Sequence, residues 1–204
     1  MNKDIIKKFT NLSNYTSLRV GGKAEWFSEP TDLNQLKFII EWAKTNEIIC
    51  QVIGNGSNLL INDSGIKGLT ICLRRLHFCE INSQTGVIEV FAGESLPALS
   101  RRAAKKGLKG LEWSIGIPGT IGGAVTMNAG AQGKCIKDVI DSVIVLNIEN
   151  GKTSKLNANE LDLSYRKSII QNENLIVLSA KLRLNPINNP KEILEITNQN
   201  FEKR

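Results

Sequence analysis

The backbone itself is the first candidate for chemistry in this sequence, at two glycine-rich segments. The first, Gly54-Asn55-Gly56-Ser57-Asn58, directly follows the apolar run of residues 48–53. Glycine lets the chain turn tightly and approach a ligand without a side chain in the way. Successive amides exposed in such a turn make an anion-binding nest suited to a pyrophosphate. The second, Gly116-Ile117-Pro118-Gly119-Thr120-Ile121-Gly122-Gly123, is soon followed by Met127-Asn128-Ala129-Gly130-Ala131, and six of these thirteen residues are glycine or proline. Backbone that wraps a ligand needs that composition far more often than a surface loop does.

Neither segment fits the two commonest phosphate loops. A P-loop needs Gly-Lys-Ser/Thr behind its spacer, and no lysine follows Gly56 before Lys67. A Rossmann turn needs a third glycine where Leu59 stands and then a helix, whereas residues 59–61 read as a strand. Taken together, the two segments still favour a bound phosphorylated cofactor over plain turns, since each lies beside apolar sequence that can form a wall.

Thiol, imidazole and metal chemistry have little to work with. Cys50, Cys72, Cys79 and Cys135 are scattered without a C-x-x-C pair, and His77 is the single histidine. No metal site is expected, and the cysteines read as reduced thiols packed as small hydrophobes. The net charge of +6 comes from short basic runs spread along 204 residues, with no aromatic-rich basic stripe. Nucleic acid is therefore not the expected partner, and anionic small ligands are as good an outlet for the charge. No apolar run approaches the roughly 20 residues that span a bilayer, and Met1-Asn2-Lys3-Asp4-Ile5-Ile6-Lys7-Lys8 carries no signal-peptide core. The cytoplasm is the expected compartment, without membrane insertion.

Helical and strand periods alternate along the chain, which predicts an α/β or α+β protein with a substantial core. A helix is expected from Pro30-Thr31 onward, with Leu33, Leu36, Ile40 and Ala43 on one face and Thr31 as its cap. Strands are expected at residues 48–53, 59–61, 69–73 and 87–91. A second helix over residues 95–106 has Ser95 as cap, Pro97 in its first turn and Gly107 at its end. Later strands are expected at 143–148 and 175–184, with Asn150-Gly151 as a hairpin turn. In the last strand Leu178, Ala180, Leu182 and Leu184 alternate with Ser179, Lys181 and Arg183, which predicts one buried and one wet face. A final helix begins after Pro190, with Ile193, Thr197 and Phe201 on one face, and runs uncapped to Lys203-Arg204.

An ordered set of short stretches goes further. Asn14-Tyr15-Thr16-Ser17-Leu18-Arg19-Val20-Gly21-Gly22, the first glycine segment, Gly107-Leu108-Lys109-Gly110-Leu111-Glu112, the second glycine segment, Met127-Asn128-Ala129-Gly130-Ala131 and Tyr165-Arg166-Lys167-Ser168 follow one another along the chain. In that order the sequence resembles the UDP-N-acetylenolpyruvoylglucosamine reductase (MurB) family, part of the FAD-binding fold class shared with vanillyl-alcohol oxidase. The resemblance implies an α+β, two-lobed FAD-binding fold of the PCMH type. Residues 1–75 would form a small N-terminal α/β lobe, 76–190 a larger mixed-sheet lobe, and 191–204 the start of a linker helix toward a substrate-binding domain.

The resemblance also implies the site. Non-covalent FAD would lie between the lobes, its pyrophosphate cradled by Gly54, Asn55, Gly56, Ser57 and Asn58. Gly116, Gly119, Thr120, Gly122 and Gly123 would wrap the other side; the alternative for the Ser57 and Thr120 hydroxyls is that they merely cap local turns. NADPH would supply hydride for reduction of the enolpyruvyl group of a UDP-sugar in peptidoglycan precursor synthesis. Arg166 stands at the family's catalytic arginine position, where a guanidinium stabilises negative charge beside a carboxylate. Tyr165 and Ser168 flank it as candidate substrate contacts. The family's proton-donating serine and assisting glutamate lie in a later domain and have no counterpart here, so this chain is expected to hold FAD without completing turnover alone. A different FAD oxidoreductase of the same fold class, or a non-catalytic flavin-binding fragment, are the competing readings.

Overall fold

The computed structural model of the chain describes residues 5–202. Met1-Asn2-Lys3-Asp4 and the helix end at Lys203-Arg204 lie outside the described residues. Two sheets carry the architecture. In the first, β1 (Ile6–Asn11) pairs antiparallel with β2 (Lys23–Ser28). Helix α1 (Leu33–Thr45) then crosses over to β3 (Cys50–Ile53) and β4 (Ile66–Cys72), giving the order β1-β2-β4-β3 with β4 parallel to both neighbours. The central strand β4 is covered on both faces. Leu69 and Ile71 join Leu36, Ile39 and Ile40 of α1 in the main core, while Cys72 turns into a smaller cluster with Leu12, Phe27 and Ile53.

The second sheet is a five-stranded antiparallel layer. Strand β5 (Cys79–Ile81) and β6 (Val87–Phe91) precede helix α2 (Leu96–Lys105) and the short strand β7 (Leu108–Lys109). Helix α3 (Ile121–Thr126), the small hairpin β8 (Gly130–Ala131) and β9 (Lys134–Cys135), then β10 (Ile140–Asn147), β11 (Thr153–Asn157) and β12 (Leu175–Arg183) follow. Strand β13 (Asn185–Pro186) pairs with β7, and helix α4 (Pro190–Glu202) packs against α2. The sheet order is β11-β10-β12-β6-β5. Strand β12 buries Leu178, Ala180 and Leu182 as its alternation requires, and α3 packs on the same sheet at β12 and β6.

Local chemistry explains the helix starts. Asp32, one residue beyond the expected Thr31, caps α1 by accepting from the Gln35 amide at 2.9 Å, and Gln35 reaches back to the Thr31 amide at 3.1 Å. Ser95 caps α2 with Pro97 in the first turn, and such a cap is worth about 1 kcal/mol. In α4, Ile193 and Thr197 are buried, but Phe201 stays half exposed beneath the Arg101 guanidinium, 5.5 Å away.

Two expectations need correction. Residues 59–61 form no strand: Leu60 is 80% exposed, and this segment pairs with no neighbouring strand. Strand β3 starts at Cys50 and is shorter than the apolar run, because residues 48 and 49 are the exit from α1, where the Ile48 amide donates to the Ala43 carbonyl.

Candidate cofactor site

Strand β3 delivers the chain from buried Ile53 into the first glycine segment. Gly56 adopts φ +62°, and a Cβ there would come within 1.9 Å of the Tyr15 carbonyl oxygen. Only glycine can make this turn. Residues 14–22 support it from behind. The Ser17 amide donates to the Gly56 carbonyl at 3.3 Å, and Thr16 Oγ1 donates to the Val20 carbonyl at 2.8 Å. Tyr15 itself is held by its hydroxyl, which donates to Glu29 at 3.1 Å, while Arg74 Nε donates to the other Glu29 oxygen at 2.8 Å. Burial, and then the Glu29 carboxylate, push the Tyr15 phenol above its ordinary range.

The second segment faces the first directly. Ser57 Oγ donates to the Pro118 carbonyl at 2.8 Å. A Cβ on Gly54 would lie 2.4 Å from Thr120 Oγ1. Thr120 is buried and caps α3, its Oγ1 accepting from the Gly123 amide at 3.4 Å. The Thr120 hydroxyl thus caps a local turn, whereas the Ser57 hydroxyl joins the two segments across the cleft.

What the two segments leave open is their backbone. The amides of Asn55, Gly56, Ser57 and Asn58, and those of Gly119 and Thr120 opposite, donate to no group among the described residues. Backbone N–H groups left without a protein partner bind water or a ligand. All six residues line one cleft of about 790 Å³, whose apolar wall includes Ala92, Ala124, Ile170, Ile176 and Val177. Gly54, Gly122 and Gly123 line it as well, and Arg166 is the one ionisable side chain on its lining. This donor set fits an elongated ligand with an anionic middle and an apolar ring. Neither His77 nor any of the cysteines is on the lining, and no cluster of His, Cys, Asp and Glu suited to a metal ion occurs among the described residues.

Arg166 enters on a turn. Ser164 and Lys167 close a two-residue hairpin by mutual backbone hydrogen bonds of 3.1 and 3.2 Å, with Tyr165 and Arg166 at its tip. Arg166 has φ +57°, an uncommon conformation for a residue with a long side chain. Its guanidinium has no ion-pair partner among the described residues and sits 5.7 Å from the Tyr165 ring.

Three of the expected site residues lie off the cleft lining. Gly116 is a step upstream of it. Tyr165 is 91% exposed, its ring 5.7 Å from the Arg166 guanidinium. Ser168 is fully buried, and its hydroxyl, donating to the Thr126 carbonyl at 2.7 Å, anchors the hairpin to α3. Conversely, Asn128 and Gln171 carry interactions that motif reading passed over. Asn128 Nδ2 donates to the Ser164 carbonyl at 2.9 Å, and Gln171 Nε2 to the Arg166 carbonyl at 3.3 Å. Asn128, the one polar side chain in Met127-Asn128-Ala129-Gly130-Ala131, was the available signal for the first.

A two-sheet fold with facing glycine segments across one cleft fits an FAD-binding domain, and residues 24–157 match the family model described as FAD binding domain. The chain is 50% identical over 194 residues to UDP-N-acetylenolpyruvoylglucosamine reductase of Prochlorococcus marinus strain MIT 9313, covering 95% of this chain and 63% of that protein. It is 48% identical over 204 residues to the reductase of the same name from strain NATL2A, covering 100% of this chain and 69% of that protein. The crystal structure of UDP-N-acetylenolpyruvylglucosamine reductase (MurB) from Thermus caldophilus superposes with a TM-score of 0.79 at 33% identity, covering 98% of this chain and 68% of that one. The chain therefore belongs to the UDP-N-acetylenolpyruvoylglucosamine reductase family, and it spans 63% to 69% of the length of these relatives.

Proposed function

We propose that the cleft holds FAD non-covalently, with its pyrophosphate against the open amides of residues 55–58 and 119–120 and its ring along the apolar wall. The reaction of the whole protein is then the NADPH-dependent reduction of UDP-N-acetylglucosamine enolpyruvate to UDP-N-acetylmuramate, a cytoplasmic step of peptidoglycan precursor synthesis. Residues 1–75 and 76–190 are the two lobes that enclose the flavin. When bound, FAD would supply hydride-transfer chemistry.

The chain's own residues have simpler tasks. Open amides neutralise the pyrophosphate without burying a full positive charge. The Arg166 guanidinium keeps its charge and its fork of donors, so it can hold the enolpyruvyl carboxylate and stabilise negative charge developing on the adjacent carbon. The cleft lining carries no carboxylate, histidine or thiol, so no proton donor for that carbon is assigned to it. Its part in the reaction is to bind, orient and exclude water.

The observation that carries this reading is the pair of open-amide segments facing one cleft. It is tested by titrating flavin-free protein with FAD and following visible absorbance. One FAD per chain is expected. UDP-N-acetylglucosamine enolpyruvate should then perturb the flavin spectrum, and Arg166→Ala should weaken that ligand by about tenfold or more while leaving FAD bound. Folded protein that takes up no FAD would end the proposal.

A further inference from the structure

We infer that Asn128 is a positioning residue that sets Arg166 in the cleft; this rests on the assignment of Arg166 to the substrate carboxylate. Asn128 is 7% exposed and bridges two segments far apart in the chain. Its Nδ2 donates to the Ser164 carbonyl at 2.9 Å, and its Oδ1 accepts from the Lys137 amide at 3.0 Å. Both polar atoms of the amide are thereby engaged, and the two bonds fix its orientation. Ser164 is the residue whose backbone closes the hairpin with Arg166 at its tip. The Asn128 backbone adopts φ +40°, which asparagine tolerates better than most residues.

The physical need is clear from Arg166 itself. Its side chain is exposed and has no ion pair among the described residues, and the Tyr165 ring 5.7 Å from its guanidinium is itself exposed, so no buried partner fixes its direction. Its aim must come from the backbone, and the backbone there is held in a sparsely populated conformation, φ +57°. Such a conformation persists only where surrounding contacts over-determine it. The hairpin has three side-chain anchors: Asn128 on Ser164, Gln171 on the Arg166 carbonyl at 3.3 Å, and the Ser168 hydroxyl on Thr126. Asn128 extends the support to the short 3-10 turn that follows β9, by accepting from the Lys137 amide.

The test uses the FAD-loaded protein with Asn128→Gly and Asn128→Asp. Glycine keeps the left-handed backbone and removes both side-chain bonds. Aspartate keeps an acceptor for the Lys137 amide and removes the donor to Ser164. Amide hydrogen exchange at Ser164 and Lys167 should speed up about tenfold or more in both variants, with β12 unchanged, whereas Lys137 should stay protected only in the aspartate variant. Affinity for UDP-N-acetylglucosamine enolpyruvate, read from the flavin spectrum, should fall about tenfold in each, and affinity for UDP-N-acetylglucosamine, which lacks the carboxylate, should not move. On an Arg166→Ala background the Asn128→Gly change should have no further effect, because a positioning residue acts only through the group it positions. Independent, multiplicative losses in the double variant would overturn the inference. So would an unaltered carboxylate affinity in Asn128→Gly while Arg166→Ala weakens it. If Arg166→Ala itself left that affinity unchanged, the underlying assignment of Arg166 would fall, and this inference with it.

Discussion

Cys72 closes β4 with its thiol inside the small cluster of Leu12, Phe27 and Ile53, 3.5 Å from the Gly54 carbonyl. Burial pushes that thiol from about 9 up to about 11. A group whose folded value is raised stabilises the fold fully below its unfolded value, and that contribution is lost as pH climbs through the folded one. Between pH 9 and 11 the folded protein should therefore lose about 2–3 kcal/mol through this residue, enough to matter in a domain of ordinary stability. Chemical denaturation from pH 7 to 11, compared between the parent and Cys72→Ala, checks this. The variant starts lower by about 1 kcal/mol for its lost packing, but its decline across that window should be shallower. Equal slopes would mean the thiol ionises as it does in the unfolded chain. Single residues of the site were legible in the sequence to different degrees. Arg166 could be found from its motif, but Ser168 in the same motif turns inward. Which way a side chain leaves a tight turn depends on backbone angles that residue type does not fix.

At the level of elements, the two glycine segments are joined by the Ser57–Pro118 hydrogen bond and by a close approach at Gly54. A methyl on Gly54 would overlap Thr120 Oγ1 at 2.4 Å, and Thr120 is buried and committed to capping α3. Gly54→Ala should therefore displace the cap, at a cost of about 1 kcal/mol or more, and part the segments, lowering FAD affinity about tenfold. Thr120→Ala removes the clashing oxygen, so the double variant should bind FAD better than Gly54→Ala alone, a non-additivity that an FAD titration of all three variants measures. Elements with clean periods and caps, α2, β6 and β12, could be read from sequence closely. Helix α3 could not: Gly122 and Gly123 disfavour helix intrinsically, and it is packing on β6 and β12 that makes the turn. Strands β1 and β2 were also missed. β1 has mostly exposed side chains with Phe9 at φ +50°, and its short partner β2 carries no strict alternation, so neither shows the period that marks a strand. The apolar residues 59–61 misled in the opposite direction, since hydrophobicity without a pairing partner does not make a strand.

Across the whole molecule, the cleft is shared between the two sheets. Its first glycine segment follows β3 of the four-stranded sheet, whereas Gly119, Thr120 and α3 belong with the five-stranded one. A ligand seated on amides from both sides joins them, so it should stabilise the folded chain as a unit by mass action. At a hundred times its dissociation constant a ligand adds about 2.7 kcal/mol, which for a chain of this size raises the unfolding midpoint by roughly 5–10 °C. The open-amide reading makes a sharper demand than that FAD stabilises. ADP carries the pyrophosphate but no isoalloxazine ring, and riboflavin carries the ring but no phosphate. If the six open amides are the principal seat, ADP should raise the midpoint measurably at millimolar concentration, and riboflavin at the same occupancy of solvent should do little. Riboflavin stabilising the chain while ADP leaves it unmoved would shift the binding energy to the apolar wall, and the glycine segments would then be explained by the packing of Gly54 and Gly56 alone.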